Sequence, residues 1–155
     1  MNVRAMVLTL VLCCFGITAC FAAGSDLGTW KLNEAKSKIA PGAPKNTTVT
    51  LEAAGDMVKV TVDGVSGEGK PTHNEWKGKY DGKDYPVSGD TSSGDARSYA
   101  KVDDNTMKLV VKMAGKTVYT GSIVLSADGK TRTVTVNGTN AKGEKFTSVS
   151  VYDKQ

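Results

Sequence analysis

From Gly28 onward, hydrophobic and polar residues alternate with a period of two in short runs broken by glycine, proline, asparagine and aspartate. That period puts successive side chains on opposite faces of an extended strand. Thr47 to Ala53 sets Val49 and Leu51 against Thr48 and Thr50. Met57 to Asp63 aligns Val58, Val60 and Val62 against Lys59 and Thr61, and Thr106 to Met113 aligns Met107, Leu109, Val111 and Met113. The same reading predicts strands over Gly28 to Asn33, Thr72 to Tyr80, Lys83 to Val87, Ala96 to Val102, Lys116 to Leu125, Lys130 to Asn137 and Lys145 to Tyr152. The last of these has two partly apolar faces, Phe146 and Tyr152 against Val149 and Val151, and the pattern does not orient it. Pro86 marks its run as an edge or a strand end, because proline cannot donate to a ladder. The connections are turn-like: Ala54-Gly55-Asp56, Asp81-Gly82, Ala114-Gly115 and Asp128-Gly129. Asn33 is placed to cap one brief helical turn, which Pro41-Gly42-Ala43-Pro44 must end.

About ten strands with hairpin-length connections leave no room for the crossovers that parallel pairing needs. The expected fold is all-β, a closed antiparallel up-and-down barrel of about 8–10 strands spanning residues 26–155. Closure removes exposed edges and gives the apolar faces an interior. A β-sandwich is the alternative, though its Greek-key connections are commonly longer than these. A short echo at constant offset, Ala53 to Gly64 against Ala127 to Gly138, reads as two hairpins with the same turn requirements, with an internal duplication as the alternative.

The stretch before Asp26 differs. No charged residue occurs between Arg4 and Asp26, and the segment ends in Ala19-Cys20-Phe21-Ala22-Ala23. A basic start, an apolar run and small residues at the end are the layout of a secretory signal peptide over residues 1–22. An uncleaved anchor is the competing reading. Ile17-Thr18-Ala19-Cys20 also resembles a bacterial lipobox, which would make Cys20 a lipidation site and tether the domain to a membrane face. All three cysteines, Cys13, Cys14 and Cys20, fall in this leader, so the exported domain is expected to stand without a disulfide.

Charge changes the picture little. The formal net charge of the 155 residues is +4, aromatics are 6% of the chain, and the basic residues are mostly dispersed lysines. Nucleic-acid binding calls for clustered basic residues interleaved with aromatics, and neither pattern occurs. There is no Gly-x-Ser-x-Gly elbow, no His-Glu-x-x-His and no phosphate-binding loop. The lone His73 lies on a polar face with Glu75, Lys77 and Lys79. Asp81, Asp84, Asp90 and Asp95 match no calcium-loop spacing and read as turn carboxylates. No enzyme, catalytic residue, metal or cofactor is expected.

Gly28-Thr29-Trp30-Lys31-Leu32 at the start of a strand meander resembles the Gly-x-Trp opening of lipocalins and of fatty-acid-binding proteins. Val151-Tyr152-Asp153-Lys154 resembles the ending of the latter. The chain is similar to small secreted bacterial lipocalin-like proteins over nearly all of residues 26–155. The resemblance implies a barrel that carries a small hydrophobic ligand in a secreted or periplasmic space, or as an outer-membrane lipoprotein. It also implies that Arg132 packs over Trp30 in a structural cation–π contact. The arginine that holds a carboxylate before Val-Tyr in many fatty-acid-binding proteins is Ser150 here, and Glu34 to Asn46 is too short for their helical lid. If the barrel closes, Trp76, Tyr80, Met107, Met113 and Tyr119 are the expected ligand-binding side chains, since Met and aromatic residues suit an adaptable apolar pocket. The other expectation is a packed structural or protein-interaction module of the cell envelope, in which the same residues fill the core.

Overall fold

The computed structural model describes residues 26–139 and 143–155. The leader with its cleavage and lipidation motifs, Cys20 included, lies outside the described residues. The strands are β1 (Gly28–Leu32), β2 (Lys45–Ala54), β3 (Met57–Val65), β4 (Pro71–Gly78), β5 (Tyr85–Gly89), β6 (Ala96–Lys101), β7 (Thr106–Met113), β8 (Lys116–Leu125), β9 (Thr131–Thr139) and β10 (Lys145–Lys154). Every neighbour in sequence is an antiparallel neighbour in space, and β1 pairs with β10 to close the barrel. A single 3₁₀ turn over Glu34–Lys36 follows β1, capped by the Asn33 side chain, which accepts from Lys36 N.

The alternation has its physical reason in this closure. Val49, Leu51, Val60, Val62, Leu109, Val111, Ile123 and Leu125 all turn inward and are buried. The threonines and lysines between them face solvent, where ion pairs such as Lys59–Glu75 add little. The β2–β3 and β8–β9 turns place Gly55 at φ 72° and Gly129 at φ 68°. Positive φ favours glycine, so the echo between the two hairpins follows from a shared turn geometry. The seam between β5 and β6 is the thinnest in the barrel, with Tyr85 paired to Arg97 and Pro86 to Ala96. Pro86 therefore occupies the weakest ladder of a sheet that has no free edge.

The tertiary structure orients strand β10. Phe146, Ser148, Ser150 and Tyr152 line the interior, while Val149 and Val151 face outward. The outward valines are covered, because the segment after the 3₁₀ turn lies along the outside of the strand. Lys38 bridges to Val149 in both directions, and Asn33 N donates to Val151 O. On strand β6, Arg97 and Tyr99 are buried at 8% and 5% exposure.

The antiparallel meander puts the turns at two ends. One end holds residues 26–27, the β2–β3 turn and the β4–β5 loop. There Trp30 is fully buried and its Nε1 donates to Asp26 O at 2.8 Å. Tyr80 Oη donates to the Asp26 carboxylate. Trp76 stacks on Tyr80 and meets Tyr85 and Tyr99 edge-on, with ring centroids 5.7 and 4.7 Å away. Gly78 is required by this cluster, since a Cβ there would stand 2.5 Å from Trp76 Cζ2 and 2.6 Å from the Tyr85 ring. This plug closes one end of the barrel.

Candidate functional site

Above the plug the interior is incompletely filled. A cavity of about 130 Å³ lies inside the barrel and extends toward the opposite end, where Ala43, Pro44, Asp90 and Ser92 contribute to its wall. Its apolar wall comes from the inward valines of β2, β3 and β9, with Leu109, Ile123 and Phe146. Tyr119 packs beside Phe146 with ring centroids 6.1 Å apart. The polar part of the wall is Asn74 from β4, Arg97 from β6, Arg132 from β9, and Ser148 and Ser150 from β10.

Asn74 is 5% exposed and its Oδ1 has no hydrogen-bond partner. Arg132 is 3% exposed and its Nε has no partner either. A buried polar atom without a partner costs stability, and orphans of this kind are few in native proteins. Both orphan atoms are themselves covered, and both belong to residues that line the one cavity. The ion pairs between described residues all use lysine or His73, and none includes Arg97 or Arg132. A guanidinium cannot shed its proton to escape burial. Burial pushes the Tyr80 phenol far above the usual phenol range, the Asp26 carboxylate adds to that, and the positive charge of Arg132 opposes it. Burial likewise raises Tyr152, again against the charge of Arg132. Arg132 thus lies deep in the barrel, between the plug and the cavity.

The side chains expected to bind a ligand are distributed over three environments. Tyr119 lines the cavity. Trp76 and Tyr80 belong to the aromatic plug, and the indole Nε1 of Trp76 donates to Arg97 O at 3.0 Å. Met107 is a buried core residue. Met113 is half-buried at the end of β7, away from the cavity wall. The cation over the Trp30 ring is Lys154, with Nζ 5.2 Å from the centroid, brought there because Trp30 and Lys154 are register partners across the closing seam. Arg132, assigned to that place by the resemblance, has Tyr152 and Leu125 as its register partners and lines the cavity. Asn74, Arg97 and Ser148, which also line the cavity, carry no motif that marks them in the sequence. The available signal was a polar residue at an inward position of an otherwise apolar strand face, as at Asn74 beside Trp76.

Among the described residues no group of three or more His, Cys, Asp or Glu gathers as a metal site. The four turn aspartates are engaged separately. Asp81 accepts from Lys83 N and Tyr85 Oη, Asp84 pairs with Lys112, Asp90 accepts from Ser92 N, and Asp95 accepts from Ala114 N. His73 is exposed, with Nδ1 2.6 Å from Asp63 Oδ1 across the β3–β4 ladder.

No family model matches the chain, and no curated protein matches it. The fold, a closed ten-stranded antiparallel barrel, is consistent with the lipocalin and fatty-acid-binding architecture.

Proposed function

We propose that this chain is an exported, non-catalytic binding protein of the lipocalin-like kind that holds one small molecule with an apolar body inside its barrel. The observation that carries this reading is the cavity of about 130 Å³ inside the barrel, walled largely by valines and aromatic rings and open toward the end opposite the plug. A cavity of about 150 Å³ takes benzene, whereas drug-sized ligands occupy roughly 300–1,000 Å³. The volume inside the barrel therefore suits a compact ligand body, a single ring or a short branched chain. The apolar leader with its small-residue end supports a secreted or periplasmic location. The lipobox-like run ending at Cys20 supports an outer-membrane lipoprotein as the variant form, with the membrane touched only through that anchor.

The modest cavity size favours one competing reading, a packed structural or protein-interaction module of the cell envelope. Thermal unfolding of the purified protein separates the two. Benzene and indole at millimolar concentration are expected to raise Tm by binding the folded state alone, while decanoate leaves it unchanged. If no compact molecule raises Tm, the barrel is a packed module.

A further inference from the structure

We propose that the barrel interior recognises a compact organic anion, with Arg132 and Arg97 supplying the positive charge and Asn74 helping to orient the bound group. This rests on the reading of the interior as a binding site and adds the chemical class of its ligand.

Arg97 and Arg132 are more than nine-tenths buried, both line the same cavity, and neither is in an ion pair with a described carboxylate. Two like charges lining one cavity repel, and burial deprives each of most of the water that would stabilise it. Each guanidinium carries a fixed positive charge and a planar fork of donors that matches a carboxylate. Two acids come near. Asp26 is engaged by Tyr80 Oη on the plug side, and Asp90 sits in the loop at the opposite end, where it accepts from Ser92 N. Neither is paired with an arginine, so the central cavity presents net positive charge.

Hydrogen-bond capacity agrees with charge. Asn74 Oδ1 is an unpartnered acceptor in the same wall. It suits a ligand that carries a hydroxyl or amide donor beside its anionic group. Ser148 also lines this wall, but its Oγ already accepts from Ala40 N at 3.0 Å and so serves the fold. The remaining wall is aliphatic and aromatic, which fits a ring or short branched chain rather than an inorganic ion alone. A small aromatic or branched carboxylate meets the volume, the charge and the apolar surface together.

The test compares benzoate with benzamide, which has nearly the same shape and no charge, by isothermal titration and by the shift in Tm. The wild-type protein is expected to bind benzoate at least about tenfold more tightly, the ratio of a charge-assisted hydrogen-bond pair to a neutral one. Arg132→Met is expected to abolish that preference. It should also hold or raise the ligand-free Tm, because an unpaired buried charge is replaced by an apolar chain of similar length. A structural arginine would instead lower the ligand-free Tm on replacement. Equal binding of benzoate and benzamide overturns the anion inference and leaves the binding barrel standing. So does an undiminished benzoate preference in both Arg132→Met and Arg97→Met. If neither compound binds, and benzene and indole also fail, the binding reading falls as well. Should a variant fail to fold, the benzoate-to-benzamide ratio of the wild-type protein still decides.

Discussion

The two ends of the barrel interior solve the same packing problem in opposite ways. At the plug, Trp30 Nε1, Trp76 Nε1 and Tyr80 Oη all donate to named acceptors, and the rings fill the space between them. In the cavity, Asn74 Oδ1 and Arg132 Nε have none, and space is left over. Both regions are made from inward positions of the same strands: Asn74 and Trp76 are two residues apart on β4. The difference therefore does not come from strand pattern. It comes from which side chains meet across the barrel, and it separates the part of the interior that holds the fold together from the part that has room for a ligand.

Mutations should divide along the same line. Trp76→Ala removes the centre of the plug and should cost about 3–5 kcal/mol of unfolding free energy, read by urea denaturation. A loss below about 1 kcal/mol would mean that the plug is not a core. Tyr80→Phe should cost about 1.5–3 kcal/mol, since it strands the Asp26 carboxylate by removing a hydrogen bond to a charged acceptor. It should also alter the alkaline limb of the stability curve. The folded pKa of Tyr80 lies above its ordinary value of 10.0, so the folded state keeps a proton that the unfolded chain releases. Stability from this group is complete below pH 10 and declines as pH rises beyond it. Unfolding followed against pH should show a shallower decline in Tyr80→Phe than in the wild-type protein.

A paired comparison of added volume sharpens the contrast further. Gly78→Ala forces a Cβ against the Trp76 and Tyr85 rings and should cost about 1–3 kcal/mol. Val136→Phe, on the cavity wall, has space to enter and should change stability by less than about 1 kcal/mol while abolishing benzene binding. Equal penalties at the two sites would show that the interior is packed throughout. The smallest effect is expected at the closing β1–β10 seam. Lys154→Ala removes the cation over Trp30 and should cost about 0.5–1 kcal/mol, detectable as a small decrease in the urea midpoint.

Most of the architecture was legible residue by residue. Val58, Val60 and Val62 against Lys59 and Thr61 leave a strand little choice of face, because a one-residue slip would expose the entire apolar set. Gly55 and Gly129 announce turns that only positive φ permits. The site was less legible. Trp76, Tyr80 and Met107 have the composition of a pocket lining and are used as plug and core, since pockets and cores draw on the same residues. Tyr119 alone of the expected set faces the cavity.

Period-two alternation carries the strands, their antiparallel order and the need for closure, because those follow from local geometry and from burying a continuous apolar face. It does not carry the partner of a side chain that lies across the barrel. That Lys154 rather than Arg132 lies over Trp30 depends on the register of the closing β1–β10 seam. That Val149 and Val151 turn outward depends on a distant segment, around Lys38, lying over them. That Asn74, Arg97 and Arg132 share one cavity depends on three strands meeting around an interior whose volume no single strand encodes.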